Sequence, residues 1–172
     1  KDVVTANKQK LIDGKTPTLF YPNDEMTLSE IIKLAACMNQ LYTTGKVTLT
    51  NGSDKWYSTY MDYALEKGII ESDITDKATQ VVTRSEYVGI FFKAFPADEF
   101  VEINQIADGA IPDVRPDTLN ADIIYVFYRA GILAGTDEKG TFMPDKTITR
   151  CEVATILTRM MNADTRKSVT LN

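Results

Sequence analysis

Histidine is absent from the 172 residues of this chain, and that absence removes several kinds of chemistry. The commonest general base and the commonest zinc ligand are missing, and with them any Ser-His or Cys-His nucleophile pair. Cysteine occurs only at Cys37 and Cys151, without metal-ligand spacing. Both read as small buried or half-buried residues, with a disulfide between them as the other reading. No run approaches the roughly 18 apolar residues of a membrane span. Positive charge is short as well: 19 Lys and Arg against 24 Asp and Glu leave a net charge of −5. Phosphate binding needs a basic face, so this balance argues against nucleic acid as a partner. Sustained strand alternation is missing too. There is no signal peptide, and the chain starts at Lys1 rather than Met, so a segment processed or excised from a longer protein is expected.

What is present is an ordinary globular composition, 44% hydrophobic and 25% charged, in a chain long enough for one or two domains. Its organising device is a capping box placed ahead of an apolar helix. Thr149-Arg150-Cys151-Glu152 precedes Val153, Ile156, Leu157, Met160 and Met161, which fall on one helical face. The spacing makes Glu152 reach back to the Thr149 amide while the threonine hydroxyl accepts the Glu152 amide. Arg150 lies at the first helical position, off the stripe, so its guanidinium is expected to be free.

The device recurs at Thr83-Arg84-Ser85-Glu86, ahead of Val88, Phe91, Phe92 and Phe95, and at Thr27-Leu28-Ser29-Glu30, ahead of Ile31, Leu34, Ala35, Met38 and Leu41. Three boxes ahead of three amphipathic helices make an internal repeat with loops of different length. Other helices are expected near Asp2–Leu11, ended by Gly14; over Trp56–Lys67, capped by Ser53 or Asp54; over one or two turns in Glu99–Ile106; and up to Arg129, capped by Asp117 or Asn120. Gly68 and Gly131 stop two of them. The class is mostly α, built from helix-loop-helix units that bury their faces by stacking. Repeats of about 1–45, 46–107 and 108–165 form one domain, and 166–172 reads as a frayed polar tail.

Gly131-Ile132-Leu133-Ala134-Gly135, then Phe142-Met143-Pro144-Asp145, then Ile148-Thr149-Arg150-Cys151-Glu152 resembles the repeat of the S-layer homology family. The second copy carries Trp56, Gly68-Ile69-Ile70 and Thr83-Arg84-Ser85-Glu86, with Asp76 and Ala78 where Phe and Pro are expected. The first carries Phe20, Pro22, Thr27 and Glu30, with Leu28 where the family has arginine. The resemblance implies a pseudo-threefold prism of three helix-loop-helix repeats around a central bundle of short helices. It also implies a non-catalytic module, without cofactor or metal, that holds an exported protein on a bacterial cell surface. Its partner would be secondary cell-wall polysaccharide, often ending in a pyruvylated sugar. A spacer or self-assembly module with degenerate glycan binding is the alternative.

Arg84 and Arg150 are the first candidates for that chemistry. A guanidinium matches the carboxylate of a pyruvyl ketal bidentately, and a helix N-terminus favours an anion. A local field of this kind lets an acidic protein bind an acidic glycan. Glu86 and Glu152 read first as capping residues that also orient the arginines. Asp113 either accepts from a sugar hydroxyl or caps the following helix. Trp56 reads first as core, with sugar stacking as its other use. Gly135 permits close backbone approach, to a ligand or within a turn. A hydrolytic pair such as Asp113 with Glu152 is the reading with least behind it, since nothing sets a productive separation.

Overall fold

The computed structural model describes residues 21–171; the expected helix at Asp2–Leu11 and its stop at Gly14 lie outside them. Five α-helices occur among the described residues: α1 (Leu28–Thr44), α2 (Ser58–Glu66), α3 (Arg84–Ala94), α4 (Ala121–Arg129) and α5 (Arg150–Met161). Short 3-10 turns at Thr75–Lys77, Ala97–Glu99 and Ala163–Thr165 join them. No extended strand forms among these residues; isolated antiparallel bridges pair Glu25 with Thr149, Thr27 with Val81, and Thr83 with Thr147. The chain is mostly α, as its periodicity requires.

All three capping boxes form. The Thr27, Thr83 and Thr149 amides donate to Glu30, Glu86 and Glu152 Oε2 at 2.9, 2.8 and 2.9 Å. Each box satisfies one amide that the following helix leaves without an internal acceptor. The helices behind them begin where the boxes dictate and bury the expected stripes: Ile31, Leu34, Ala35 and Met38 in α1, Val88 and Phe91 in α3, and Val153, Ile156, Leu157 and Met160 in α5. At about 1.5–3 kcal/mol for each large apolar side chain, this burial is the main stabilising term. Gly45 ends α1 in the left-handed conformation, φ +75, its amide donating to Leu41 O.

The segments ahead of the boxes close a ring. Met26 N donates to Ile148 O at 3.1 Å, Ile148 N to Val82 O at 2.9 Å, and Val82 N to Met26 O at 3.0 Å. All three side chains are buried. The first amides of α1, α3 and α5 continue the pattern: Leu28 N donates to Gln80 O, Arg84 N to Lys146 O and Arg150 N to Asp24 O. The next amides follow suit, Ser29 to Ala78 O, Ser85 to Pro144 O and Cys151 to Pro22 O. Each helix start is therefore satisfied by a neighbouring copy. The departures at Asp76 and Ala78 leave this intact, because the turn at Thr75–Lys77 still delivers the Ala78 carbonyl.

Several expectations are corrected. Helix α2 begins at Ser58, and its N-cap is Tyr57 without a side-chain cap bond, so neither Ser53 nor Asp54 caps it. Trp56 precedes the helix and is 38% exposed, so it is not core. Residues Glu99–Ile106 hold only the end of one 3-10 turn; the segment beyond is irregular and anchored by buried Phe100, Asn104 and Ile106. Asn120 stands at the start of α4 in the left-handed region, φ 59, but its Nδ2 donates to Ser85 O at 2.8 Å instead of capping. Gly89 makes room for it, since a Cβ there would lie 2.5 Å from Asn120 Nδ2.

The tail is not frayed over its described residues. Lys167 N donates to Gly131 O at 2.8 Å. Asn104, buried at 5% exposure, donates Nδ2 to Tyr128 O and to Lys167 O and accepts Val169 N on Oδ1, each at 2.9 Å. One carboxamide stitches the end of the chain to α4. Cys37 is buried and Cys151 half-buried, and no disulfide joins them, against the disulfide reading.

Candidate functional site

The first helical position recurs three times, as Leu28, Arg84 and Arg150. The box fixes the backbone there, and the adjoining copy receives the side chain. Arg84 is 5% exposed. Its Nη1 donates to Glu152 Oε1 at 2.8 Å, its Nε donates to Phe142 O at 2.7 Å, and its guanidinium lies 5.0 Å from the centroid of the Phe142 ring. Arg150, equally buried, has Nη1 3.6 Å from Glu30 Oε1. The expectation of a free guanidinium at Arg150 is thus overturned. The carboxylate partners of Arg84 and Arg150 are 68 and 120 positions away, beyond the reach of a local pattern.

Glu152 joins two duties, the Thr149 cap and the Arg84 pair, with Lys146 Nζ a further 3.8 Å from Oε1. Burial pushes its carboxyl up. The Thr149 amide and hydroxyl, then the Arg84 and Lys146 charges, outweigh that and hold it below the usual carboxylate range. Glu86 has the cap alone: Thr83 N and Oγ1 donate to its Oε2 at 2.8 and 2.9 Å, and the residue is exposed.

A cleft of about 180 Å³ opens beside Arg84, lined also by Leu133, Gly135, Thr136, Glu152, Thr155 and Arg159. It brings together three of the sequence candidates, Arg84, Gly135 and Glu152. It also adds Arg159, which sequence reading missed although it falls on the α5 face one turn beyond Thr155. Arg159 Nη1 donates to Ile132 O at 3.0 Å. Two arginines and one glutamate thus line the cleft. Gly135 is required by the turn behind the cleft: φ is +81, and a Cβ would lie 2.4 Å from Gly140 Cα.

Asp113 neither caps α4 nor faces this cleft. Its carboxylate accepts the amides of Phe142 and Met143 at 2.8 and 2.6 Å, which holds Met143 at φ 61 ahead of Pro144. It thereby sets the Phe142 carbonyl that Arg84 binds. Trp56 stands apart from the Arg84 cleft, edge-on to Tyr57 at 5.4 Å, with Lys33 Nζ 5.9 Å from its centroid. Among the described residues no group of His, Cys, Asp and Glu is placed to hold a metal ion, and no helix is long and apolar enough to cross a membrane.

No family model matches the chain. One curated relative is similar to it. An amylopullulanase from Thermoanaerobacterium thermosulfurigenes is 26% identical over 164 residues, which is 91% of this chain and 9% of that protein. The chain therefore corresponds to a small part of the curated relative it matches.

Proposed function

We propose that this chain is a non-catalytic module of a larger protein that binds an acidic cell-wall polysaccharide, one ending in a pyruvylated sugar, at a bacterial surface. The reading joins the repeat's resemblance to S-layer homology domains with one observation. In a chain of net charge −5, the Arg84 cleft carries Arg84 and Arg159 against the single carboxylate of Glu152. A pyruvyl carboxylate entering it would meet guanidinium groups, whose charge-assisted hydrogen bonds to a carboxylate are strong. The ring of backbone bonds through Met26, Val82 and Ile148 supports a pseudo-threefold arrangement of the copies, with the capped helices around its axis. The match to a small part of a much longer relative supports an accessory role, and an exported, extracellular location follows from the same reading.

The alternative is a structural or self-assembly module, and one observation favours it: Nε and Nη1 of Arg84 are already used inside the protein. Co-sedimentation with purified Gram-positive walls separates the two. Intact walls, walls stripped of secondary polymer and walls lacking the pyruvyl group are compared. The binding reading expects pelleting with intact walls only. Folded protein that stays in solution with all three preparations leaves the structural role.

A further inference from the structure

The three capping glutamates use Oε2 alike and Oε1 differently. In each, Oε2 accepts the amide of the threonine ahead of the helix. Glu152 Oε1 takes Arg84 at 2.8 Å, with Lys146 Nζ at 3.8 Å, and Glu30 Oε1 has Arg150 at 3.6 Å. Glu86 Oε1 takes no hydrogen bond or ion pair among the described residues, and Glu86 is the exposed member of the set.

Two positions in the repeat account for this. The Leu28 amide bonds Gln80 O just as the Arg84 amide bonds Lys146 O. Leu28 therefore stands in the register of Arg84, and Gln80 in that of Lys146. Both cations that face Glu152 are neutral residues at Glu86. In their place is a groove of about 360 Å³, twice the size of the Arg84 cleft, lined by Leu28, Ile70, Ile74, Ile90 and Glu86. Gly89 lies in its wall where the Arg84 cleft has Thr155, and the Asn120 side chain packs against it.

We infer that this groove receives an arginine side chain from a partner polypeptide. The guanidinium sits on Glu86 Oε1, and the aliphatic stem lies along Leu28, Ile70 and Ile90. The contact repeats between molecules what Arg84 and Glu152 do within the chain. A guanidinium suits the site because its planar fork matches a carboxylate and it is weakly hydrated, while its three-carbon stem covers apolar surface. The rim holds two cations. Lys93 is neutralised by Glu71 at 2.6 Å, whereas exposed Lys77 has no side-chain partner among the described residues and opposes the incoming charge. This site is separate from the Arg84 cleft and does not depend on glycan binding.

The test is a titration of the isotope-labelled 172-residue chain with N-acetyl-L-arginine amide, followed by amide chemical shifts. Saturable shifts at Leu28, Glu86 and Gly89 are expected. Loss of one charge-assisted pair corresponds to about tenfold in affinity, and the norleucine amide and the Glu86→Gln variant are each expected to lose that much. Glutamine retains the cap, so Glu86→Gln stays folded. Lys77→Gln tightens binding. Leu28→Arg abolishes it, because a resident guanidinium takes Oε1; should that variant fail to fold, Glu86→Gln decides alone. Absence of shifts at the groove, equal affinity for the norleucine amide, or unchanged binding by Glu86→Gln overturns the inference. Preference for glucosamine over the arginine derivative overturns it too, since the occupant would then be an amino sugar.

Discussion

Arg84 Nη1 lies 2.8 Å from Glu152 Oε1, across 68 positions of sequence. The bond ties the start of one capped helix to the start of the next. Removing the arginine would leave a half-buried carboxylate and the Phe142 carbonyl without their donor. Arg84→Ala is expected to destabilise the fold by about 3 kcal/mol, the lower end for breaking a buried pair, because Glu152 retains some solvent. Urea unfolding of Arg84→Ala, Glu152→Gln and the double variant measures the coupling, expected at about 1–3 kcal/mol. Additive effects would show that the pair contributes nothing of its own.

Glu152 also sets a pH dependence. Its folded-state carboxyl binds a proton less tightly than the unfolded chain does, so its contribution is fully present above the unfolded value of about 4.3. It is lost as pH falls through the lower folded-state value. Unfolding free energies of the parent and of Glu152→Gln should therefore differ by a constant amount above about pH 5 and converge below about pH 4. A difference that widens on acidification would contradict the assignment.

Tyr87 is fully buried, and its hydroxyl is without a hydrogen-bond partner among the described residues. Burial raises its ionisation well above the ordinary phenol, with the Arg84 charge acting weakly in the opposite direction. The ring is held by stacking on Phe91 at 4.4 Å, which needs no hydroxyl. An unsatisfied buried hydroxyl costs about 1–3 kcal/mol, so Tyr87→Phe is expected to raise stability by about 1 kcal/mol. Thermal unfolding checks the sign.

Asn104 clamps the tail by both ends of its carboxamide. Asn104→Ala leaves the Tyr128 and Lys167 carbonyls and the Val169 amide without their partner, for an expected loss of about 2 kcal/mol. Hydrogen exchange should accelerate at Lys167 and Val169 before it does in α5. Unchanged exchange there would mean that the tail is held by other contacts.

The capping boxes and their helices were legible because they depend on residues three to eight positions apart. Helix starts at Leu28, Arg84 and Arg150 follow from the boxes, and the stops at Gly45, Gly68 and Gly131 from the left-handed backbone that glycine permits. What pattern does not carry is the destination of a long side chain. Arg150 looks free on its own helix, yet it meets Glu30 in a different copy. Asp113 has the sequence context of a cap, yet its carboxylate is spent on a turn some 30 positions on. Trp56 has the size of a core residue, but the helix starts two residues after it and leaves it at the surface. Arg159 was missed because the cleft that gives it meaning is assembled from α5, the loop after α4 and the start of α3. The tail read as frayed because its anchor, Asn104, lies more than 60 positions upstream.

Binding of an acidic glycan is measured by isothermal titration of purified secondary cell-wall polymer. Polymer with and without its pyruvyl groups is titrated into the parent chain and into Arg159→Gln, which removes one of the two cleft cations and leaves the Arg84–Glu152 pair in place. Saturable heat is expected with the pyruvylated polymer only, weakening with added salt and weaker in Arg159→Gln by about tenfold. Equal binding of both polymers, or none by the folded parent, would contradict the proposed function.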